Sequence, residues 1–415
     1  MKHLSKFKKL TAKTLIAAVD FSKSKHSGYF TTYTGEEIAP FEFSNTLKGF
    51  EKFWSRLQKF KSKYELEDVV VSFESTGSYG LPFIHYIENK GVRMLQVNPK
   101  HTKRAKEITD NSPNKTDKKD PRTIANLILF KNGLTVNIPK GQISELRNLV
   151  NCRETLLVEQ NKLNNQLEST LAIYFPELLT FFKSLLTKTG LYVLKHYPTP
   201  YDIQIADPDK LHRELKKVSK GRVAEGRTNK LINMAYQSIG IKEGRESYKT
   251  IIKFYLQQIE LISEQKKQTE KQIENILESI PQGKLILSVK GLGKISAAAI
   301  LSEVIDFNSF RTIREINKYT GYNLYEISSG KHFGKRRIAK RGRALLRKTL
   351  YFACLNMIKE GGIFHEQYQR HIEKGMPKMK ALIAISRKLL RIIFAMFRDN
   401  REFEIQKIKT IKKAA

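Results

Sequence analysis

The stretch Leu15-Ile16-Ala17-Ala18-Val19-Asp20 decides the fold, because five consecutive apolar residues end in an acid. A second stretch of the same kind, Val69-Val70-Val71-Ser72-Phe73, ends at Glu74. Short apolar runs bounded by turn residues are typical of strands that are buried on both faces of an α/β sheet. The two stretches therefore predict strands in the interior of an α/β domain.

The residues around these strands predict the rest of that domain. Strand and helix patterns alternate through about the first 130 residues. We predict β-rich segments at 28–33 and 38–43, a helix at 47–63, a helix at 81–90 and a third buried strand at Val92–Val97.

Beyond about residue 143 the pattern changes to long helices. Leu149, Leu156 and Leu163 recur every seven residues, and a second seam runs from Ile252 to Ile276 with alternating spacings of three and four. This heptad spacing predicts two coiled-coil arms, and a helical hairpin that packs within one chain is the open alternative. The polar residues 195–247 between the arms predict a small helical insert.

The last part of the chain predicts a mostly α-helical unit. A pattern typical of a helix–hairpin–helix occurs at Val289-Lys290-Gly291-Leu292-Gly293-Lys294. In such a hairpin, glycines let backbone N–H groups approach a phosphate. Ordinary turn glycines are the alternative. We therefore predict three domains: a catalytic α/β domain at 1–138, a coiled-coil linker with its insert at 139–280, and a C-terminal domain at 281–415.

The charge of the chain restricts its partners. Its 415 residues contain 75 Lys and Arg against 41 Asp and Glu, which is a net charge of +34. Such an excess favours a polyanion, because phosphate contacts release counterions. A ribosomal or RNA-coating protein fits the charge as well as a DNA enzyme does, whereas a hydrophobic content of 40% favours packed cores over a solvated tail.

Cysteine usage and hydropathy indicate the compartment. Cys152 and Cys354 are the only cysteines, so neither a disulfide framework nor a cysteine-based zinc site is expected. No secretion signal is recognisable at the start, and no apolar run reaches the roughly 20 residues that span a bilayer. We expect a soluble bacterial protein of the cytoplasm that has no membrane partner and associates with the nucleoid when it acts.

Four carboxylates predict a metal site. Asp20 and Glu74 end strands, and Asp117 and Asp120 lie three residues apart where Pro121 opens a helix. Acids that converge at strand ends repel one another unless a hard cation such as Mg²⁺ lies between them. Two such ions are possible and would assist cleavage of a phosphodiester. Taken singly, Asp117 as a helix cap and Asp120 as a helix-terminal charge are the alternatives.

A serine pair on a glycine turn opens a cationic segment. Ser328-Ser329-Gly330 precedes eighteen residues, 331–348, of which nine are Lys or Arg and none is acidic. Fixed cations stabilise the charge that develops in phosphoryl transfer. A helix cap or a simple phosphate contact is the alternative role of Ser329. The candidate nucleic-acid-binding residues are Lys290, Lys294, Lys331, Lys335, Arg336, Arg337, Lys340, Arg341 and Arg343.

These motifs together resemble the DEDD transposases of bacterial insertion sequences. The acidic tetrad of that family corresponds to Asp20, to Glu74 in Glu-Ser-Thr-Gly, and to the two acids of Lys115-Thr116-Asp117-Lys118-Lys119-Asp120. The resemblance extends to the C-terminal motifs Gly291-Leu292-Gly293, Tyr319-Thr320-Gly321, Ser328-Ser329-Gly330 and Lys340-Arg341-Gly342. The match covers nearly the whole chain in the same order.

The resemblance implies a fold and a reaction. The fold would be an RNase H or resolvase-like domain, a coiled-coil linker and a C-terminal transposase domain. The reaction would be site-specific recombination of donor and target DNA, guided by a structured bridge RNA, with a metal-bound tetrad and a serine that becomes joined to DNA. The serine corresponds to Ser329, or to Ser328 if the alignment slips by one residue. Dimers that assemble into a tetramer are implied as well.

The chain departs from the family pattern at two positions. Arg343 follows the glycine of Lys340-Arg341-Gly342 where many relatives have Asn or Asp, and Ala339 stands where Ser is frequent. Neither change removes a catalytic group. The rival enzyme class is a metal-dependent Holliday-junction nuclease that uses the tetrad alone, and the non-enzymatic alternative is a nucleic-acid-packaging protein.

Overall fold

The chain divides into two compact units. The computed structural model describes residues 10–74, 77–110, 120–326, 328–329, 332–333 and 336–404. Unit 1 comprises Met1–Pro139, Val304–Cys354 and Glu366–Arg401. Unit 2 comprises Lys140–Glu303, Leu355–His365 and Glu402–Ala415. No helix among the described residues combines the length and the apolar character needed to cross a membrane.

Unit 1 is built on a mixed six-stranded sheet of order β3-β2-β1-β4-β5-β6. The strands are β1 Thr14–Asp20, β2 Lys25–Thr32, β3 Phe41–Ser44, β4 Asp68–Glu74, β5 Arg93–Val97 and β6 Leu134–Thr135. β1, β4 and β5 run parallel, and the other strands pair antiparallel. The apolar runs of β1 and β4 are buried on both faces of the sheet, which confirms the interior strands predicted from sequence.

Helices cover both faces of this sheet. They are α1 Leu47–Lys63, α2 Leu81–Asn89, α3 Pro99–Asp110 and α4 Asp120–Leu129. Leu15, Ala17 and Val19 of β1 share a core with apolar residues of α1 and α2. Ile16 and Ala18 share the opposite core with residues of α4. Successive residues of β1 therefore alternate between the α1/α2 face and the α4 face, as strand geometry requires.

The part of the chain after residue 304 contains helices and two small ladders. The helices are a 3₁₀ turn at Phe307–Ser309, α14 Ile313–Thr320, α15 Ala344–Met357, α16 His365–Glu373 and α17 Lys378–Asp399. The strands are β7 Leu324–Tyr325, β8 Ser328–Ser329, β9 His332–Phe333 and β10 Arg337–Ile338. The mostly α-helical character predicted for this region is confirmed, whereas the four short strands were not anticipated.

Unit 2 is helical and is organised by two long helices, α5 Gly141–Tyr174 and α11 Arg245–Ser279. Five shorter helices lie between them: α6 Glu177–Phe181, α7 Lys188–His196, α8 Pro200–Gln204, α9 Pro208–Val218 and α10 Glu225–Tyr236. Three of them, α8, α9 and α10, lie within residues 195–247, where a small helical insert was predicted. Two more helices follow the long pair, α12 Pro281–Leu287 and α13 Lys294–Val304.

The heptad seams of α5 and α11 meet within the one chain. Arg153 Nε lies 2.7 Å from Glu270 Oε1, and Gln160 Nε2 lies 3.0 Å from Ser263 Oγ, so the helices run antiparallel. The predicted core leucines Leu156, Leu163, Leu167 and Leu171 are buried, and Leu149 is only half-buried. The open alternative, a helical pair packed on itself, is the arrangement found here; pairing between protomers stays a prediction.

Candidate active site

Asp20 and Glu74 end neighbouring parallel strands. The last ladder pair of β1 and β4 is Val19 with Phe73, so the two acids occupy the next position of each strand. Adjacent strands lie about 4.8 Å apart. Both side chains are half-buried. The structure therefore brings these two predicted site residues together at the carboxyl edge of the sheet.

The two acids share the sheet face that α4 covers. Asp20 lies two residues beyond Ala18, which faces α4, and Glu74 lies one residue beyond Phe73, which faces α1 and α2. Strand alternation consequently directs both carboxylates to the α4 face. Asp120 is the first residue of α4 and is buried, with 8% of its surface exposed.

The first turn of α4 lies over the end of β1. The Arg122 guanidinium stacks 5.3 Å from the ring centre of Tyr29 and also pairs with Glu37. Tyr29 is the ladder partner of Ala18, two residues before Asp20. Asp120 therefore begins its helix above the sheet edge that carries the other acids.

The donor set suits a hard divalent cation in its chemistry. Asp20, Glu74 and Asp120 offer carboxylate oxygens, which are the ligands that Mg²⁺ prefers. Within the described ranges, no group of three or more His, Cys, Asp or Glu side chains is arranged closely enough to hold a metal ion. The fourth predicted ligand, Asp117, lies outside the described residues. The structure thus supports the position of the acids at one sheet edge rather than a closed coordination shell.

Ser329 is the last residue of a strand rather than part of a turn. Ser328 pairs with Phe333 and Ser329 with His332, and two residues of sequence, Gly330 and Lys331, separate β8 from β9. β7 and β10 pair outside them, Tyr325 with Arg337. The serines are thus carried on one arm of a hairpin within unit 1, directly before Gly330 of the predicted glycine turn, which lies outside the described residues.

The base of this hairpin is tied to the end of α14. The backbone N–H groups of Lys340 and Arg343 donate to the carbonyls of Gly321 and Tyr319, both at 3.0 Å. A Cβ on Gly342 would lie 2.3 Å from the Tyr319 carbonyl oxygen, so only glycine fits there. Arg343 Nε donates to Tyr319 Oη at 3.0 Å. The motifs Tyr319-Thr320-Gly321 and Lys340-Arg341-Gly342 therefore form one rigid platform.

The predicted nucleic-acid-binding cations differ in their surroundings. Arg336 pairs with Glu326 at 2.8 Å, and Lys294 pairs with Glu278 at 2.6 Å and with Glu274 at 3.3 Å. These glutamates raise the pKa of Lys294. Four of the predicted cations are exposed and form no ion pair with a described residue: Lys290, Arg337, Lys340 and Arg341. Lys331 and Lys335 lie outside the described residues.

A glycine turn connects α12 and α13, which fits both the predicted helix–hairpin–helix and the ordinary turn that was its alternative. Gly291 has a φ of +84°, a left-handed conformation that favours glycine, and Lys290 is exposed beside it. Lys294 opens α13, but its ammonium group is directed to the glutamates of α11. Of the two lysines predicted here to bind nucleic acid, Lys290 alone is without an acidic partner in the described residues.

Two polar residues near the acids were missed in the sequence. His26 is fully buried among aromatic rings, and Asn45 bonds to the loops that follow Asp20 and Glu74. The only sequence signal for His26 is a histidine six residues after the acid in an aromatic-rich segment. Asn45 precedes Thr46, the N-cap of α1, and has the appearance of an ordinary capping residue.

Comparisons with known proteins agree at both ends of the chain. A family model described as "Transposase", the DEDD type of IS110, matches residues 17–176. A second, described as "Transposase IS116/IS110/IS902 family", matches residues 283–369. Together they cover the sheet with its acids and the hairpin with its serines.

Curated proteins and a solved structure are also similar. The chain is 22% identical over 393 residues to the insertion element IS110 uncharacterized 43.6 kDa protein of Streptomyces coelicolor, covering 93% of this chain and 94% of that protein. It is 30% identical over 122 residues to the pilin gene-inverting protein of Moraxella bovis, covering 29% and 38%. RuvC of T. thermophilus bound to a Holliday junction matches with a TM-score of 0.23 at 11% identity, covering 30% and 99%.

Proposed function

Because the chain belongs to the IS110-type transposases and is an enzyme that acts on DNA, we propose that it moves an insertion sequence by RNA-guided, serine-dependent recombination. One observation carries the proposal. Asp20 and Glu74 end adjacent parallel strands, and the Ser328–Ser329 hairpin belongs to the same compact unit. The proposed reaction needs carboxylates that can bind a metal ion and a hydroxyl that can attack DNA. Unit 1 contains residues of both kinds.

The tetrad is proposed to bind divalent metal, with Mg²⁺ as the physiological ion. Asp20, Glu74, Asp117 and Asp120 would hold it, and the mixed α/β sheet supports an RNase H or resolvase-like role for residues 1–138. When bound, a divalent cation supplies positive charge that stabilises phosphate oxygens during cleavage. Clustered carboxylates alone would repel the DNA phosphate, so this part of the site is unproductive without a cation.

Ser329 is proposed to attack the scissile phosphate. Its hydroxyl oxygen forms a bond to phosphorus and gives up its proton, while the bond to one deoxyribose oxygen breaks and that oxygen takes a proton. The number of phosphodiester bonds stays constant, so the step is reversible and suits recombination. Arg337, with Lys331 and Lys335, is proposed to neutralise the charge that develops on the phosphate.

The platform cations are proposed to hold nucleic acid beside the hairpin. Lys340 and Arg341 are exposed on a backbone that glycines and hydrogen bonds fix in place. Lys290 offers a further contact at the Gly291 turn. Cations on fixed backbone lose little freedom on binding, which favours phosphate contacts.

A metal-dependent junction endonuclease is the alternative function. It would use the acids of the sheet edge with water as the nucleophile, and the serine hairpin would have no chemical part. The two functions differ in whether the protein becomes covalently joined to DNA.

A denaturing gel tests the proposal. Purified protein, its element-derived RNA and labelled donor DNA are incubated with Mg²⁺, in parallel with Ser329→Ala, Ser328→Ala and Asp20→Ala. We expect a labelled protein–DNA adduct that is lost with Ser329→Ala and Asp20→Ala and kept with Ser328→Ala. Ser328→Ala is the matched control, because it also removes a serine hydroxyl, at the neighbouring position.

Other outcomes assign the function differently. Loss of the adduct with Ser328→Ala alone would make Ser328 the nucleophile. The endonuclease would be established if DNA is cleaved without a protein–DNA adduct, and if that cleavage requires Asp20 but neither serine. Cleavage by Asp20→Ala at the wild-type rate would remove the acids from the mechanism.

The assembly is part of the same proposal. Recombination of two duplexes needs at least two active sites, so we propose dimers that assemble into a tetramer on donor DNA, target DNA and bridge RNA. Action on chromosomal DNA places the protein at the bacterial nucleoid. Sedimentation of the RNA- and DNA-bound protein as a monomer alone would contradict this assembly.

A further inference from the structure

One amide side chain joins the loops that follow Asp20 and Glu74. Asn45 Nδ2 donates to the carbonyl of Lys23 and to the carbonyl of Tyr79, each at 3.3 Å. Lys23 belongs to the turn between β1 and β2, and Tyr79 to the segment between β4 and α2. The Asn45 backbone N–H also donates to the Ser24 carbonyl at 2.9 Å. Asn45 therefore links two segments that are remote in sequence.

The Phe21 ring of the first loop packs against β4 and against the end of the second loop. The Phe21 ring lies 5.4 Å from the ring of Phe73 between centroids. Phe21 directly follows Asp20, and Phe73 directly precedes Glu74. A Cβ on Gly80 would lie 2.2 Å from Phe21 Cδ2, so the ring packs against a position where no side chain fits. Each acid is consequently one residue from a ring of this contact.

His26 supports the first loop from below. Its side chain is fully buried, and its ring centre lies 5.1 Å from that of Phe21. Nδ1 accepts the Ser22 backbone N–H at 3.3 Å, which assigns the ring proton to Nε2 of a neutral imidazole. Burial lowers the pKa of His26, in agreement with that neutral form. The histidine thus fixes the turn that leads away from Asp20.

The strand ladder does not set the separation of the acids by itself. The ladder between β1 and β4 ends at Val19 and Phe73. Asp20 is paired with Ser27 of β2, and Glu74 with Val97 of β5, on opposite sides of the site. Beyond the last shared ladder pair, the distance between the acids depends on the loops that follow them.

We propose that Asn45, with Phe21, His26 and Gly80, forms a loop clamp that holds Asp20 and Glu74 at the spacing a divalent cation requires. These are positioning residues, since they act through the two acids. The inference rests on the proposed metal-binding function of those acids. Residues that orient metal ligands commonly change metal affinity by 10–100-fold when they are replaced.

Mn²⁺ binding to the full-length protein tests the clamp without an activity assay. Free Mn²⁺ is measured by electron paramagnetic resonance, and Asp20→Asn defines the part of the binding that belongs to the site. We expect Asn45→Ala to raise the dissociation constant of that part roughly tenfold. Asn89→Ala is the matched control, because Asn89 is an exposed asparagine at the end of α2 and should leave the constant unchanged.

The possible failures are distinguishable. If wild type and Asn45→Ala show equal Asp20-dependent binding of Mn²⁺, the clamp is overturned and the proposed metal site stands. Absence of Asp20-dependent binding in the wild type would overturn the proposed metal site and the clamp with it. Fluorescence of Trp54, the single tryptophan, packed against the core that α1 and α2 form on the sheet, verifies that each variant is folded.

A second variant tests the clamp through packing. Gly80→Ala leaves the Asn45 hydrogen-bond donors in place and displaces the Phe21 ring. We expect a rise in the Mn²⁺ dissociation constant in the same direction. If Asn45→Ala proved unfolded, a wild-type constant in folded Gly80→Ala would still overturn the proposal.

Discussion

Asp20 and Glu74 owe their common face to the alternation of side chains along β1 and β4. Their apolar predecessors divide between two cores, with Val19 and Phe73 on the α1/α2 side and Ala18 on the α4 side. A shift of one residue in either strand would direct its acid to the opposite face. The apolar pattern of β1 and β4 therefore also determines the sheet face on which the two candidate catalytic acids lie.

His26 is the buried titratable residue whose protonation we expect to affect unit 1. Four phenylalanine rings surround it, those of Phe21, Phe43, Phe50 and Phe83. Burial lowers its folded-state pKa below the ordinary value of 6.5. As the pH falls below 6.5 the unfolded chain binds a proton first, so the free energy of unfolding decreases until the folded-state pKa is reached.

We predict that His26→Phe reduces this acid sensitivity. The variant loses the acceptor for the Ser22 N–H, which costs about 1 kcal/mol at pH 7.5, the usual net value of one hydrogen bond. Below pH 6.5 its stability should fall less than that of the wild type. Urea unfolding followed by Trp54 fluorescence at pH 7.5 and pH 5.5 measures the difference.

His101→Gln is the control for that experiment, because His101 is exposed on α3. It should keep the wild-type pH dependence. An identical loss of stability between the two pH values in His26→Phe and the wild type would contradict the prediction.

α5 and α11 stabilise each other along their whole length. Polar pairs tie the middle of the contact, with Lys266 Nζ donating to Gln160 Oε1 at 3.0 Å, and Tyr174 stacks on Tyr248 at one end with ring centres 4.3 Å apart. Heptad spacing predicts a seam in each helix, and it is the same for a partner in another chain or in this one. The long helical insert returns the chain and makes the intrachain partner available.

Truncation of a seam leucine should destabilise unit 2. Leu167 is 1% exposed, so Leu167→Ala leaves a cavity and should cost about 2–5 kcal/mol. Val158→Ala, on the same helix at a position that is 66% exposed, should change stability by less than about 0.5 kcal/mol. Thermal unfolding followed by the helical circular dichroism signal compares them, and equal midpoints would refute a seam at Leu167.

The net charge of +34 belongs to the whole molecule, but its cations are not equivalent. Lys294 is neutralised by two glutamates of α11, whereas Arg341 is exposed and has no acidic partner within the described residues. An exposed cation that contacts a phosphate releases counterions, and a cation already paired with acids releases few. The salt dependence of DNA binding separates the two kinds.

We predict that Arg341→Gln lowers the slope of log K against log salt concentration by about 0.9, the value of one phosphate contact on duplex DNA. Lys294→Gln should leave the slope close to that of the wild type. Fluorescence anisotropy with labelled donor DNA between about 50 and 200 mM salt measures both variants. A larger change with Lys294→Gln than with Arg341→Gln would show that the ion pairs of α11 open on binding.

Local sequence was sufficient to predict five of the six strands of the sheet, all except β6, and the positions of Asp20 and Glu74. Helix α1 has the predicted bounds, and β1, β4 and β5 lie where apolar runs ended in turns or acids. These features depend on the periodicity of apolar residues, which the printed sequence displays directly. The family resemblance added Ser329, for which spacing alone offers no chemistry.

The sequence by itself determined which residues form the buried strands and the long helices, because burial of apolar side chains acts through local periodicity. Tertiary structure alone decided that α5 pairs with α11 of the same chain, that Lys294 is neutralised, and that Asn45 spans the loops after Asp20 and Glu74. Each of these contacts joins residues distant in sequence. Nothing in their local pattern distinguishes the partner they find.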